Sequence, residues 1–191
     1  MIVSARLISL TGIATHLLLL MCFAVLPARA QGTGPGEYRV KAAFLYNFAK
    51  FVEWPGGRSV PDSTPFIIGV FGPSPFRGEL DEILRDKMVG SRAIDVRLIH
   101  SVEEALACQI LFVAGSAGEE LPQLLSAVEG KGVLTVGDAE DFADRGTVIS
   151  FMIQDGKIRF SINTTAAAAA GLRISSKLLN LAQIISSGGS L

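Results

Sequence analysis

From Glu37 onward the chain alternates between apolar runs and amphipathic stretches, and that alternation predicts its elements. Glu37 to Val52 places Val40, Ala43, Phe44, Phe48 and Phe51 at helical spacing, with Leu45, Ala49 and Val52 as a second stripe, so the first helix is apolar around most of its circumference and is expected to stop at Pro55. Pro65 to Phe71 is a continuous apolar run and reads as a buried strand. Glu79 to Arg85 reads as a short helix and Ala93 to Ile99 as an alternating strand. Ser101 with Glu104 is a capping box that opens a short helix. Cys108 to Val113 predicts a further buried strand. Glu119 to Glu129 predicts an amphipathic helix, and Gly132 to Val136 another strand.

Thr147 to Ile153 and Lys157 to Ile162 flank Asp155-Gly156, a pair that supplies the positive φ angles of a tight hairpin. Asn163 then caps a long final helix from Thr164 to about Ile185. Gly171 stands inside it, which suggests a close packing contact there. Solid apolar strands separated by short helices predict a three-layer α/β sandwich: a mostly parallel central sheet, an antiparallel C-terminal hairpin at its edge and the long C-terminal helix.

The segment before the first helix changes the compartment. Arg6, the apolar core Leu17 to Leu26 and the small-x-small triplet Ala28-Arg29-Ala30 read as an export signal over 1–30, cleaved before Gln31. Residues 31–36 then form a short flexible N-terminus, 37–186 a single domain and 187–191 a disordered tail. With the signal go Arg6 and Arg29, so the 17 basic residues fall to 15 against 18 acidic ones, a net charge of −3. That balance argues against nucleic acid as a partner.

His16 and Cys22 leave as well, so His100 and Cys108 are the remaining histidine and cysteine. One thiol forms no internal disulfide, and Cys108 at the head of an apolar strand reads as a core residue. One His and one Cys do not make a catalytic zinc site, and no Gly-x-Ser-x-Gly elbow or dinucleotide fingerprint is present. No catalytic, metal-binding or cofactor-binding residues are assigned and no cofactor is expected. Asp138, Glu140 and Asp141 lack the spacing of a calcium loop and read as a solvated helix start. The Gly72-Pro-Ser-Pro-Phe76 loop follows the first strand, where open α/β sheets bind ligands, so Gly72, Ser74 and Phe76 are candidate ligand residues. Tyr46, Lys50 and Trp54 on the outer side of the first helix, with Arg173 and Lys177 near the C-terminus, are candidate partner contacts.

Several strings together resemble the YfiR-like family of periplasmic proteins: Tyr38 to Pro55, Ile67 to Gly72 with Ser74-Pro-Phe76, Cys108 to Val113, Leu134 to Asp138, Ile158 to Asn163 and Gly171 to Ala182. The resemblance implies a periplasmic repressor, not an enzyme, that binds the periplasmic sensor domain of an inner-membrane diguanylate cyclase. Cyclic di-GMP and biofilm formation would then be held low. It also implies a homodimer and, in some systems, an outer-membrane lipoprotein that sequesters the repressor. Relatives with additional cysteines use disulfides, but Cys108 has no partner after residue 30. The alternatives that stay open are a periplasmic small-molecule binder using the Gly72–Phe76 loop and an uncharacterised hydrolase.

Overall fold

A computed structural model describes residues 36–54 and 63–186. The expected export signal, most of the expected flexible N-terminus, Pro55 and the expected C-terminal tail lie outside the described residues.

The first helix, α1 (Glu37–Phe51), opens on Gly36, whose φ of 107° turns the chain into it. It ends four residues short of Pro55, because Val52 is extended and begins a short strand, β1 (Val52–Glu53). The elements that follow are β2 (Phe66–Phe71), α2 (Glu79–Leu84), β3 (Met88–Val89), β4 (Arg92–Ile99), α3 (Val102–Ala105), β5 (Ile110–Val113), α4 (Leu121–Val128), β6 (Leu134–Gly137), β7 (Ile149–Gln154) and β8 (Lys157–Asn163). The C-terminal part adds α5 (Thr164–Ala169), β9 (Arg173–Ile174), α6 (Ser176–Leu179) and β10 (Gln183–Ile185).

Eight strands form one sheet in the order β10-β8-β7-β6-β5-β2-β4-β3. The central run from β4 to β7 is parallel, and β8 returns antiparallel to β7 through Asp155 and Gly156, whose φ angles are 51° and 69°. Alternation along the strands divides the core between the two faces. Ile68, Val70, Ile110, Phe112, Leu134, Val136, Ile149 and Phe151 pack under α1. Ile67, Leu111 and Val113 pack under α3 and α4 with Leu121, Leu124 and Val128. The expected layers are therefore present. Ser101 caps α3 as its spacing predicts, accepting from the Glu104 backbone N–H at 3.2 Å, while the Glu104 carboxylate reaches back to the His100 N–H at 2.8 Å.

The long final helix does not form. Asn163 does cap a helix, accepting from Ala166 N–H at 2.9 Å, but α5 covers only six residues. Gly171 takes φ 72°, its N–H bonds to Ala168 O, and Leu172 N–H bonds to Ala167 O; this pair of bonds is the Schellman ending of a helix. A Cβ at Gly171 would meet nothing within 4 Å, so the glycine is there for its backbone angle and not for close packing. Beyond it β9 pairs with β1, and β10 lies parallel to β8, outside the hairpin that was expected to form the edge.

Candidate functional site: a buried ion cluster and the outer edge of the first helix

The parallel strands fork between β2 and β5: the chain leaves β2 for β4 on one side and then crosses back to β5 on the other. Ligands in open α/β sheets bind at such a fork, beyond the C-terminal strand ends. Here that position is packed with side chains. Gly72 turns with φ 87°, and a Cβ on it would lie 2.9 Å from the Ala117 Cβ. Phe76 is 1% exposed; its ring stands edge-on to Phe112 at 4.8 Å and to Tyr38 at 5.4 Å. Of the loop residues chosen from the sequence, Ser74 is exposed and Phe76 belongs to the core.

One strand further along, the first turns of α1 meet the end of β6. Lys41 is 4% exposed, and its ammonium lies 2.5 Å from Glu37 Oε1 and 2.6 Å from Asp138 Oδ1. Tyr38 donates its hydroxyl hydrogen to Asp138 Oδ2 at 2.9 Å, and the Lys41 ammonium stands 4.6 Å from the Tyr38 ring centroid. Two carboxylates thus share one ammonium inside the protein. Burial pushes the Asp138 carboxyl above the usual carboxylate range, against the opposing pull of Lys41 and of the Tyr38 hydroxyl. Burial, and then the Asp138 charge, raise the Tyr38 phenol. The acidic segment was expected to be a solvated helix start. Glu140 and Asp141 are exposed, but Asp138 directly follows the last residue of β6 and is directed under α1. Sequence reasoning missed this cluster. The one available signal is a lysine placed between Val40 and Ala42 on a helix apolar on most sides.

The opposite flank of α1 carries the partner candidates. Tyr46 is half-buried, and its hydroxyl donates to Met88 O of β3 at 3.4 Å. Lys50 stands 5.3 Å and Lys87 5.9 Å from the Tyr46 ring centroid. Lys50, Trp54, Met88 and Arg92 border a groove of about 390 Å³ floored by Val52, Phe66 and Val89. The structure thus brings Tyr46, Lys50 and Trp54 to one side. Arg173 sits in β9 opposite Glu53 of β1, directly beyond the helix end, and Lys177 lies exposed on α6. Cys108 is 3% exposed and free, and burial pushes its thiol up to about 11. Among the described residues no group of three or more His, Cys, Asp or Glu is placed to hold a metal ion, and no helix is long and apolar enough to cross a membrane.

A family model described as YfiR/HmsC-like matches residues 38–183. No match is found among curated proteins by sequence. Among solved structures, an ABC domain in complex with L-Trp from Streptococcus pneumonia matches with a TM-score of 0.52 at 14% identity, over 75% of this chain and 60% of its own. This chain therefore spans less than two thirds of that structure's length, and at such identity the likeness is one of fold.

Proposed function

This chain belongs to the YfiR/HmsC-like family, and on that footing we propose that it is a periplasmic regulator that holds an inner-membrane diguanylate cyclase inactive. It binds the periplasmic sensor domain of the cyclase, keeps cyclic di-GMP low and restrains biofilm formation. The observation that carries this reading is the family match, which runs from the second residue of α1 into β10. Two features of the molecule agree with a protein that acts by contact. Its buried charges are satisfied by one another at the end of β6, and α1 and β3 together leave Tyr46, Lys50 and Met88 at an outer edge. The homodimer and the sequestering outer-membrane lipoprotein belong to the same proposal. Release through an internal disulfide does not, since Cys108 is buried and free.

The test is deletion of the gene in its own cell. Cyclic di-GMP and biofilm mass are expected to rise and to return on complementation, and the protein is expected to co-purify from membranes with a cyclase. Unchanged cyclic di-GMP together with no cyclase in the purified membranes would overturn the regulator reading.

A further inference from the structure

We propose that the edge formed by Tyr46, Lys50, Lys87 and Met88 is a docking surface for an acidic segment of a partner protein. The proposal deepens the preceding one, resting on the reading that the protein works by binding another chain.

The chain as a whole carries an excess of acid, with 18 acidic against 17 basic residues, yet two ammoniums converge on one phenol ring at this edge. Among the described residues neither Lys50 nor Lys87 has a carboxylate within salt-bridge distance; the ion pairs formed there engage Arg39, Lys41, Arg97 and Arg145. Like charges beside one ring repel, and the ring's negative faces offset only part of that cost. A carboxylate brought to each ammonium offsets that repulsion and gives each cation a partner.

The shape of the edge then selects the kind of partner. Beside the lysines the groove is apolar at its floor, with Val52, Phe66 and Val89 below and Met88, 45% exposed, on its rim. An acidic residue flanked by an apolar one matches both parts. An extended segment spaces alternate side chains about 7 Å apart, which suits two separated ammoniums. A bilayer fits less well. Stable attraction to anionic lipid takes a broad basic surface, and here two ammoniums meet at one ring on a chain with excess acid. Carboxylates approaching Lys50 and Lys87 across an exposed rim would set the rate and the salt dependence of encounter, with the apolar side chain holding the complex.

The experiment titrates the isotope-labelled full protein with a short peptide rich in Asp and Glu around a central Leu. The same peptide with Lys in place of each acid and vesicles of phosphatidylglycerol serve as the other two probes. Expected are amide shifts confined to Lys50, Lys87, Met88 and their neighbours with the acidic peptide alone, and an affinity weakened about tenfold in K50E/K87E. The control K131E/K157E, which makes the same change in net charge at exposed lysines elsewhere, is expected to retain the affinity. Circular dichroism checks that both variants fold. No shift at this edge, equal weakening in the control, or stronger shifts with vesicles than with peptide would each overturn the proposal. The failures of the two readings stay distinct. A peptide site abolished in K50E/K87E, together with cyclic di-GMP indifferent to gene deletion, keeps the docking surface and removes the cyclase. A cyclase that co-purifies equally well with K50E/K87E does the reverse.

Discussion

The ammonium of Lys41 lies 2.6 Å from the Asp138 carboxylate, joining residues 97 positions apart across the interface between α1 and the end of β6. Both side chains are nearly inaccessible, at 5% and 6% exposure, so each charge depends on the other for its solvation. A pair of this kind need not stabilise the fold more than apolar residues would, but breaking it leaves a charge stranded.

Lys41→Met therefore removes the shared cation from between Glu37 and Asp138 and is expected to cost about 3–5 kcal/mol in urea unfolding. The triple variant E37Q/K41M/D138N, which removes the charges together, is expected to recover most of that loss. A loss below about 1 kcal/mol for the single variant would show that water reaches the cluster.

The same site makes a pH prediction. The folded Asp138 carboxyl binds its proton more tightly than an unfolded one, because burial outweighs the hydrogen bonds from Lys41 and Tyr38. A raised folded pKa contributes stability that is fully present below the unfolded value of about 3.9, and that is lost as pH rises through the folded value. The stability of the protein relative to D138N should accordingly fall from acid toward neutral pH, measured by denaturant unfolding at each pH. A relative stability that climbs with pH would mean that the pairing with Lys41 outweighs burial.

Gly171→Ala separates two structures of the C-terminal segment by the sign of its effect. At φ 72° alanine is strained, and destabilisation of about 1 kcal/mol is expected. Within a continuous helix the same change would stabilise by about 1 kcal/mol. Thermal unfolding of the variant reads the sign directly.

Cys108 is expected to be inert while the protein is folded. Its thiol is buried, shifted up to about 11 and directed at Glu104 O, 3.5 Å away. A thiol reagent at neutral pH should label Cys108 only in denaturant. Rapid labelling of the native protein would contradict the burial. Gly69→Ala probes the same contact from the other side, since its Cβ would lie 2.5 Å from the Cys108 sulfur and 2.6 Å from Ile99 Cγ1. Overpacking of that kind is expected to cost about 1–3 kcal/mol.

Much of the framework is legible from local pattern. The buried strands β2 and β5 are solid apolar runs because both faces of the sheet are covered, while β6 is interrupted by the buried Thr135. The Ser101 and Asn163 caps and the Asp155-Gly156 turn depend on neighbours only a few residues away, so their spacing alone announces them. Val40 shows where pattern stops. It shares the spacing of Phe44 and Phe48 and is 45% exposed, while the charged Lys41 beside it is buried. Nothing within one helical turn encodes the presence of Asp138.

The division has a physical basis. By itself the sequence determined the alternation of strands and helices, the placement of Cys108 in the core and the family to which the chain belongs, because these follow from short-range periodicity and contiguous strings. Only the tertiary structure decided the rest. Gly171 ends a helix because the segment beyond it pairs with β1 and β8, partners far away in the chain. Phe76 fills the fork between β2 and β5 because Tyr38 and Phe112 converge on it. Lys50 and Lys87 flank one ring because β3 folds beside α1. Burial, charge pairing and strand addition depend on distances that close only when the whole chain has packed.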